Sequence, residues 1–321
     1  MNPSKNVGAE SCRDCHEEMV EAWEKTSHAR SFDTLASSEA AEKMARVLSL
    51  KPADIPMTAS CVRCHYTHEP LFSVPQPTAA ISCESCHGGA VDWIDGHNRK
   101  SSSRSERVDL AMEKGMVHPE SVFAAVKTCY ECHVVDDEQL VNQVGHPAFS
   151  DGFEFLSWYS GEVKHNFLVA EPGKSVKAHV GEAQPVPRPR KRMLYLAGKL
   201  HHLAHTLAAM ARASDAPVDP AGEFIRLENG RYTFAVQHAL EVKRLRGDIE
   251  AVLNRLSIRQ FAEALVTLRG LSLTTGTNRE LKAAAAEVGR LTEQFCEQHD
   301  GSEFEAIDPI LDELEPRVSK P

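Results

Sequence analysis

The C-terminal half of the chain places its apolar residues with the period of an α-helix. Between Lys191 and about Ala213, Leu194, Leu196, Leu200, Leu203, Leu207 and Met210 recur at spacings near three and four, which predicts an amphipathic helix. Similar patterns predict helices from about Tyr232 to Leu256, Ile258 to Leu271, Asn278 to Gln298 and Glu303 to Leu314. Gly247, Gly270, Gly276 and Gly301 fall near the expected breaks, as in antiparallel helices joined by short loops. Ahead of this bundle, residues 171 to 190 (EPGKSVKAHVGEAQPVPRPR) are rich in Pro, Gly and basic residues and read as an extended linker. In residues 1 to 170 the periodicity fades. A helix is predicted from Glu17 to about Phe32, with Met19, Val20 and Trp23 on one side, and a shorter one from Ser38 to Leu50, stopped by Pro52. The expectation is a mainly α chain in three parts: domain 1–170 with little regular structure, linker 171–190 and helical bundle 191–321. Nowhere do about 18 apolar residues run together, so no spanning helix is expected and the mature chain is expected to be soluble.

The weakly patterned half carries the chemistry. Cys-x-x-Cys-His occurs four times within 133 residues: Cys12/Cys15/His16, Cys61/Cys64/His65, Cys83/Cys86/His87 and Cys129/Cys132/His133. Two thiols at i and i+3 can reach the two vinyl groups of one porphyrin while the adjacent imidazole reaches its iron, which makes this the attachment signal for c-type haem. Zinc knuckles also use Cys-x-x-Cys pairs, but they have no need of the trailing histidine. Histidine is 16 of 321 residues, so its chance appearance after all four pairs has a probability of about six in a million. Four c-type haems are therefore the expected cofactors, and Cys296, left over, reads as a small apolar helix residue. Aromatics make up only 6% of the chain, so the macrocycles themselves are expected to fill the core of residues 1 to 170.

Covalent attachment of haem takes place outside the cytoplasm in prokaryotes, so export to the periplasm is expected. The start, MNPSKNVGAESCRDCH, has no apolar signal region, which we read as a leader removed from this numbering with a start Met added. Charge divides as the chain does. Residues 1 to 170 hold 15 Lys+Arg against 25 Asp+Glu, a net of −10, while residues 171 to 321 hold 21 of each. An acidic haem-bearing face steers toward redox partner proteins with basic docking surfaces and away from nucleic acid or anionic lipid. The bundle is expected to serve docking or self-association.

The second axial ligand of each iron decides what the haems can do: a second histidine gives a low-potential carrier, and an open position permits ligand chemistry. Beyond the proximal His16, His65, His87 and His133, the first 170 residues hold His28, His68, His97, His118, His146 and His165. The coordinating nitrogens of one iron's two ligands lie about 4 Å apart, given bonds of about 2 Å. On a continuous helix His28 would lie about 18 Å along the axis from His16, so it is expected to ligate a neighbouring haem. His97 follows the third motif across GGAVDWIDG, His146 stands between Gly145 and Pro147, and His165 follows Gly161; all are distal candidates. His68, three after His65, would point the same way on a helix and is held in reserve with His118. His201, His202 and His205 cluster one turn apart, a spacing that can hold a metal, but no Glu or Asp completes a hydrolytic zinc pattern, so they read as solvated or interhelix histidines.

Cys12-Arg-Asp-Cys-His16, followed by Trp23 and Thr26-Ser27-His28-Ala29, resembles the opening of the tetraheme cytochrome c-554 family. The third motif running into Gly88-Gly89 and then His97 is similar to that family's Cys-x-x-Cys-His-Gly-x-Gly…His pattern, with Gly88-Gly89-Ala90 where the family has Gly-Pro-Gly. The resemblance covers about residues 8 to 170. It implies stacked haems, mainly two-histidine ligation and electron transfer between a periplasmic dehydrogenase and an acceptor, with His28 and His97 as distal ligands. It also implies that the haem of Cys61, Cys64 and His65 can be five-coordinate. Residues 158 to 167 (WYSGEVKHNF) with the helix at Arg192 resemble a group of multiheme cytochromes carrying a helical C-terminal extension, which favours His165 as a ligand. Two functions follow: an electron carrier, or a haem enzyme acting on a small nitrogen or sulfur compound at one open iron.

Overall fold

Local capping chemistry sets the helix boundaries. A computed structural model of the chain describes residues 2–71, 74–161, 163, 186–274, 276–314 and 316–317. Helix α1 (Glu10–Glu24) begins seven residues earlier than expected and takes in the first motif. It ends because the Thr26 side chain accepts the Ala29 N–H and caps a new helix, α2 (Ser27–Thr34). The predicted single helix through residue 32 is therefore two, and the 18 Å separation of His28 from His16 no longer follows. Helix α3 (Glu39–Val47) is capped by Ser38. After α4 (Ala59–His65) the chain forms an antiparallel hairpin, β1 (Thr67–Leu71) and β2 (Val74–Ala79), paired from Thr67 opposite Ala79 to Leu71 opposite Val74. Pro70, Pro75 and Pro77 sit in these strands, which a two-stranded ribbon tolerates because each strand has an unpaired edge. Short helices follow: α5 (Cys83–His87), α6 (Ile94–His97), α7 (Arg104–Glu113), α8 (Val122–His133) and α9 (Phe155–Ser160).

In the C-terminal part, α10 (Arg188–Met210) starts with Pro189 in its first turn and takes up the last residues of the expected linker. Residues 171 to 185 of that linker lie outside the described residues. Helices α11 (Phe234–Leu253), α12 (Arg259–Arg269), α13 (Asn278–Gln298) and α14 (Asp308–Asp312) complete the set. Gly247 lies inside α11 and breaks nothing. The capping box of Thr277 and Glu280 starts α13, and Gly301 after it has φ +85°, with the position of a Cβ only 2.1 Å from the Pro189 carbonyl. Helix α10 packs chiefly on α13 and α11, with Leu194, Leu196, Leu200, Leu203 and Leu207 fully buried. Each such leucine contributes about 1.5–3 kcal/mol through burial. Arg192 locks the closing turn: its guanidinium pairs with both oxygens of Asp308 (2.8 and 2.6 Å) and donates to the Gly301 and Ser302 carbonyls.

Packing divides the chain differently from the expected boundary at residue 170. One unit contains Met1–Ala125; the other contains Val126–Ser157 together with Pro187–Glu315. Polar side chains explain why residues 126 to 157 go with the bundle. Glu138 accepts from Ser214 N–H and Oγ–H (2.9 and 2.6 Å), Asn142 accepts the Phe234 N–H (2.7 Å), and Arg231 donates to the Gly145 and His146 carbonyls. The fourth motif thus belongs to the bundle unit. The chain is mainly α, as its periodicity predicts, and no helix among the described residues is long and apolar enough to cross a membrane.

Candidate functional site

A helix brings residues i, i+3 and i+4 onto one face, and each motif uses that fact. Cys12 and Cys15 lie on α1, Cys61, Cys64 and His65 on α4, Cys83, Cys86 and His87 on α5, and Cys129, Cys132 and His133 at the end of α8. Each pair of thiols and its imidazole therefore share a face. His16 leaves helical geometry (φ −125°, ψ 38°), a kink in α1 immediately after the first motif. None of the eight motif cysteines is fully withdrawn from the surface.

Two motifs distant in sequence meet in the first unit. The Cys12 thiol donates to Cys83, which pushes Cys12 well above and Cys83 below the ordinary thiol range. Glu84, within the third motif and 1% exposed, fixes this junction. Its carboxylate accepts from Val7 N–H (2.9 and 3.1 Å), Gly8 N–H (2.8 Å) and Ala90 N–H (2.8 Å), so one side chain ties the segment before the first motif to the loop after the third. A glutamate at the x position of Cys-x-x-Cys gives no sign of this in the sequence.

The imidazoles gather at the same place. The rings of His16 and His97 lie 6.1 Å apart, centroid to centroid, with 30° between their planes. Burial lowers the pKa of both, and His87 adds to the lowering at each. His118 also acts on His97; it is buried, and its Nδ1 accepts the Glu120 N–H (3.3 Å). His87 donates from Nδ1 to the Val117 carbonyl (3.0 Å), which fixes the tautomer and leaves Nε2 for a metal. In the second unit the Nδ1 of His133 is likewise engaged, by Ser150 Oγ at 2.7 Å. His28 stands beside the third motif: its carbonyl accepts the Ile81 N–H (3.3 Å), and Trp23 donates to the Ile81 carbonyl (2.8 Å), two residues before Cys83.

Other candidates are placed differently. His68 is on β1, not on a helix with His65, and its Nε2 meets the Pro56 carbonyl at 2.7 Å, which occupies the nitrogen an iron would need. His146 lies in the bundle unit with Nδ1 on the Pro147 carbonyl (2.7 Å). His165 lies outside the described residues. The histidines of α10 prove to adjoin a motif. His202 stacks on Tyr130, the second residue of the fourth motif, at 4.7 Å and 20°, and its Nε2 lies 3.4 Å from Glu241, too far for a hydrogen bond of normal strength. Among the described residues no group of three or more His, Cys, Asp and Glu could hold a bare metal ion.

The residues fit a porphyrin better than they fit each other. Apolar clusters of the first unit are small: Ala41, Ala45, Ile55 and Tyr66 form one, and Ala90, Trp93 and Ala111 another. Within them two strong donors, Tyr66 Oη and Trp93 Nε1, are buried without a hydrogen-bond partner. Buried donors rarely stay unpaired; a macrocycle with propionates supplies both apolar area and acceptors. Residues 11–88 match the family model of cytochrome c554 and c-prime. That is a multiheme c-type cytochrome family. The match spans the first three motifs and stops before the fourth; with it come covalent haem and a role in electron transfer. No curated protein and no solved structure matches the chain.

Proposed function

We propose that the chain is an exported, periplasmic cytochrome that holds four c-type haems and passes electrons between redox partner proteins. Cys12/Cys15, Cys61/Cys64, Cys83/Cys86 and Cys129/Cys132 carry the thioether links, and His16, His65, His87 and His133 are the proximal ligands. Haem supplies the reversible electron; the chain supplies attachment, axial ligands and spacing. The observation that carries the reading is the His16–His97 pair. Two imidazoles gripping one iron through bonds of about 2 Å have ring centres about 6 Å apart, and these two rings stand at 6.1 Å. His97 is thus the distal ligand of the first haem. The backbone link from His28 to Ile81 supports His28 as the distal ligand of the third. His118 and His146 remain for the second and fourth irons, with His165.

The nearness of Cys12 to Cys83 supports a short electron path, because haems held by these two thiols would lie close to one another. The acidic balance of residues 1 to 170 supports partners with basic faces, and the C-terminal helices support docking or self-association. The test is electron paramagnetic resonance of the ferric holoprotein. His97→Ala and His28→Ala should each leave every haem attached and convert one from low to high spin. A spectrum unchanged by His97→Ala would remove the assignment. Carbon monoxide should leave the spectrum of the reduced protein unchanged; a shift in one haem's share would reveal an open iron and favour catalysis.

A further inference from the structure

Resting on the ligation of the first iron by His97, we propose that Trp93 is the positioning residue that sets the plane of the His97 ring and so tunes the electronic structure of that haem. The terminal torsion of a histidine is soft, so an axial imidazole needs something outside itself to fix its orientation, and a hydrogen bond from Nδ1 is the usual device. His87 has one to Val117, and His133 has one to Ser150. His97 has none: its Nδ1 is buried with no partner. What it has is the Trp93 indole, edge to face at 5.7 Å and 88°, in the range where such ring pairs attract.

The indole is itself held. Trp93 is 6% exposed and packs with Ala90 and Ala111, both fully buried, and with Val7, Ile94 and Met116. Its backbone is held on both sides, since its N–H donates to the Ala90 carbonyl (3.1 Å) and its carbonyl accepts the His97 N–H (2.8 Å). Helix α6 packs closely on α7, since a Cβ at Gly96 would stand 2.9 Å from the Leu110 side chain. The indole thus holds the His97 plane, one of the two planes that meet at 30°. In a low-spin ferric haem the splitting of the iron d orbitals, and with it the spread of g values, follows the angle between the axial ring planes.

The experiment compares the ferric holoprotein with Trp93→Leu, Trp93→Phe and His97→Ala by electron paramagnetic resonance and redox titration, with haem content measured alongside. Trp93→Leu, which stays apolar but loses the aromatic ring, should shift or broaden the largest g value of one low-spin haem and move one midpoint potential, with four haems still attached. Trp93→Phe should restore the original signal. A Trp93→Leu spectrum superimposable on the original overturns the proposal, as does a Phe variant that shifts as far as Leu. If His97→Ala yields no high-spin haem, the ligation reading fails; if it does and Trp93→Leu is silent, only the role of Trp93 fails. In the unsubstituted protein the Trp93 indole resonances, assigned from their loss in Trp93→Phe, should shift between reduced and oxidised states. Indole signals that do not move overturn the proposal even if the Leu variant cannot be purified.

Discussion

Replacing Glu84 by Gln isolates what a buried carboxylate does at the junction of the first and third motifs. The native side chain offers two oxygens to three backbone donors: Oε1 takes Val7 and Ala90, and Oε2 takes Gly8 and shares Val7. Glutamine keeps the shape and one oxygen but turns the other position into an NH2 donor. One amide, of Gly8 or of Ala90, then faces a donor with no water to replace the lost acceptor. A buried unsatisfied N–H costs about 1–3 kcal/mol, and the remaining bonds lose their charge assistance, so the substitution should cost about 2–4 kcal/mol. Thermal unfolding followed by the Soret band and by far-ultraviolet circular dichroism should show a midpoint lower by about 5–15 °C. A change below about 0.5 kcal/mol, or a stabilised variant, would refute the view that this carboxylate holds the junction together.

Three further outcomes follow from the same structure. Burial pushes the pKa of His201 down to about 3 and that of His202 well below its usual range, and it outweighs the two carbonyls facing His238, which settles at about 4. These rings stay neutral when folded and take up protons when unfolded near pH 6.5, so stability falls as pH drops below 6.5, by up to about 1.4 kcal/mol per pH unit for each. Urea unfolding that is the same at pH 7 and pH 5 would contradict this. Arg192→Ala leaves Asp308 and two carbonyls without their donor, and should cost about 3 kcal/mol in denaturant unfolding; a neutral effect would show the pair to be replaceable. Electron exchange with a basic redox partner should slow as salt rises, because screening shortens the reach of the acidic surface; rates independent of salt would remove the steering argument.

The C-terminal helices were legible because they bury one face, and a buried face leaves a periodic trace: α13 runs from Asn278 to Gln298 as its pattern predicts. Gly247 misled because an exposed helix position carries a glycine at a cost of only about 1 kcal/mol, less than the packing of α11 supplies. In the first 125 residues the periodicity fails for a physical reason. Apolar side-chain clusters there are few, so short helices such as α2 and α6 are placed by caps and turns, and Thr26 ended a helix that periodicity alone carried through residue 32. The hairpin at Thr67–Ala79 was hidden by its prolines. Motif chemistry names four candidate attachment points, but not that the fourth motif lies among the bundle helices, with Tyr130 against His202; nothing in residues 129 to 133 records what packs on them.

The most direct measurement is the intact mass of the denatured, purified protein together with its absorption spectrum. Four covalently held haems should raise the mass by four haem units over the bare chain and leave the polypeptide red after acid denaturation. A colourless protein with the mass of the polypeptide alone would contradict the account.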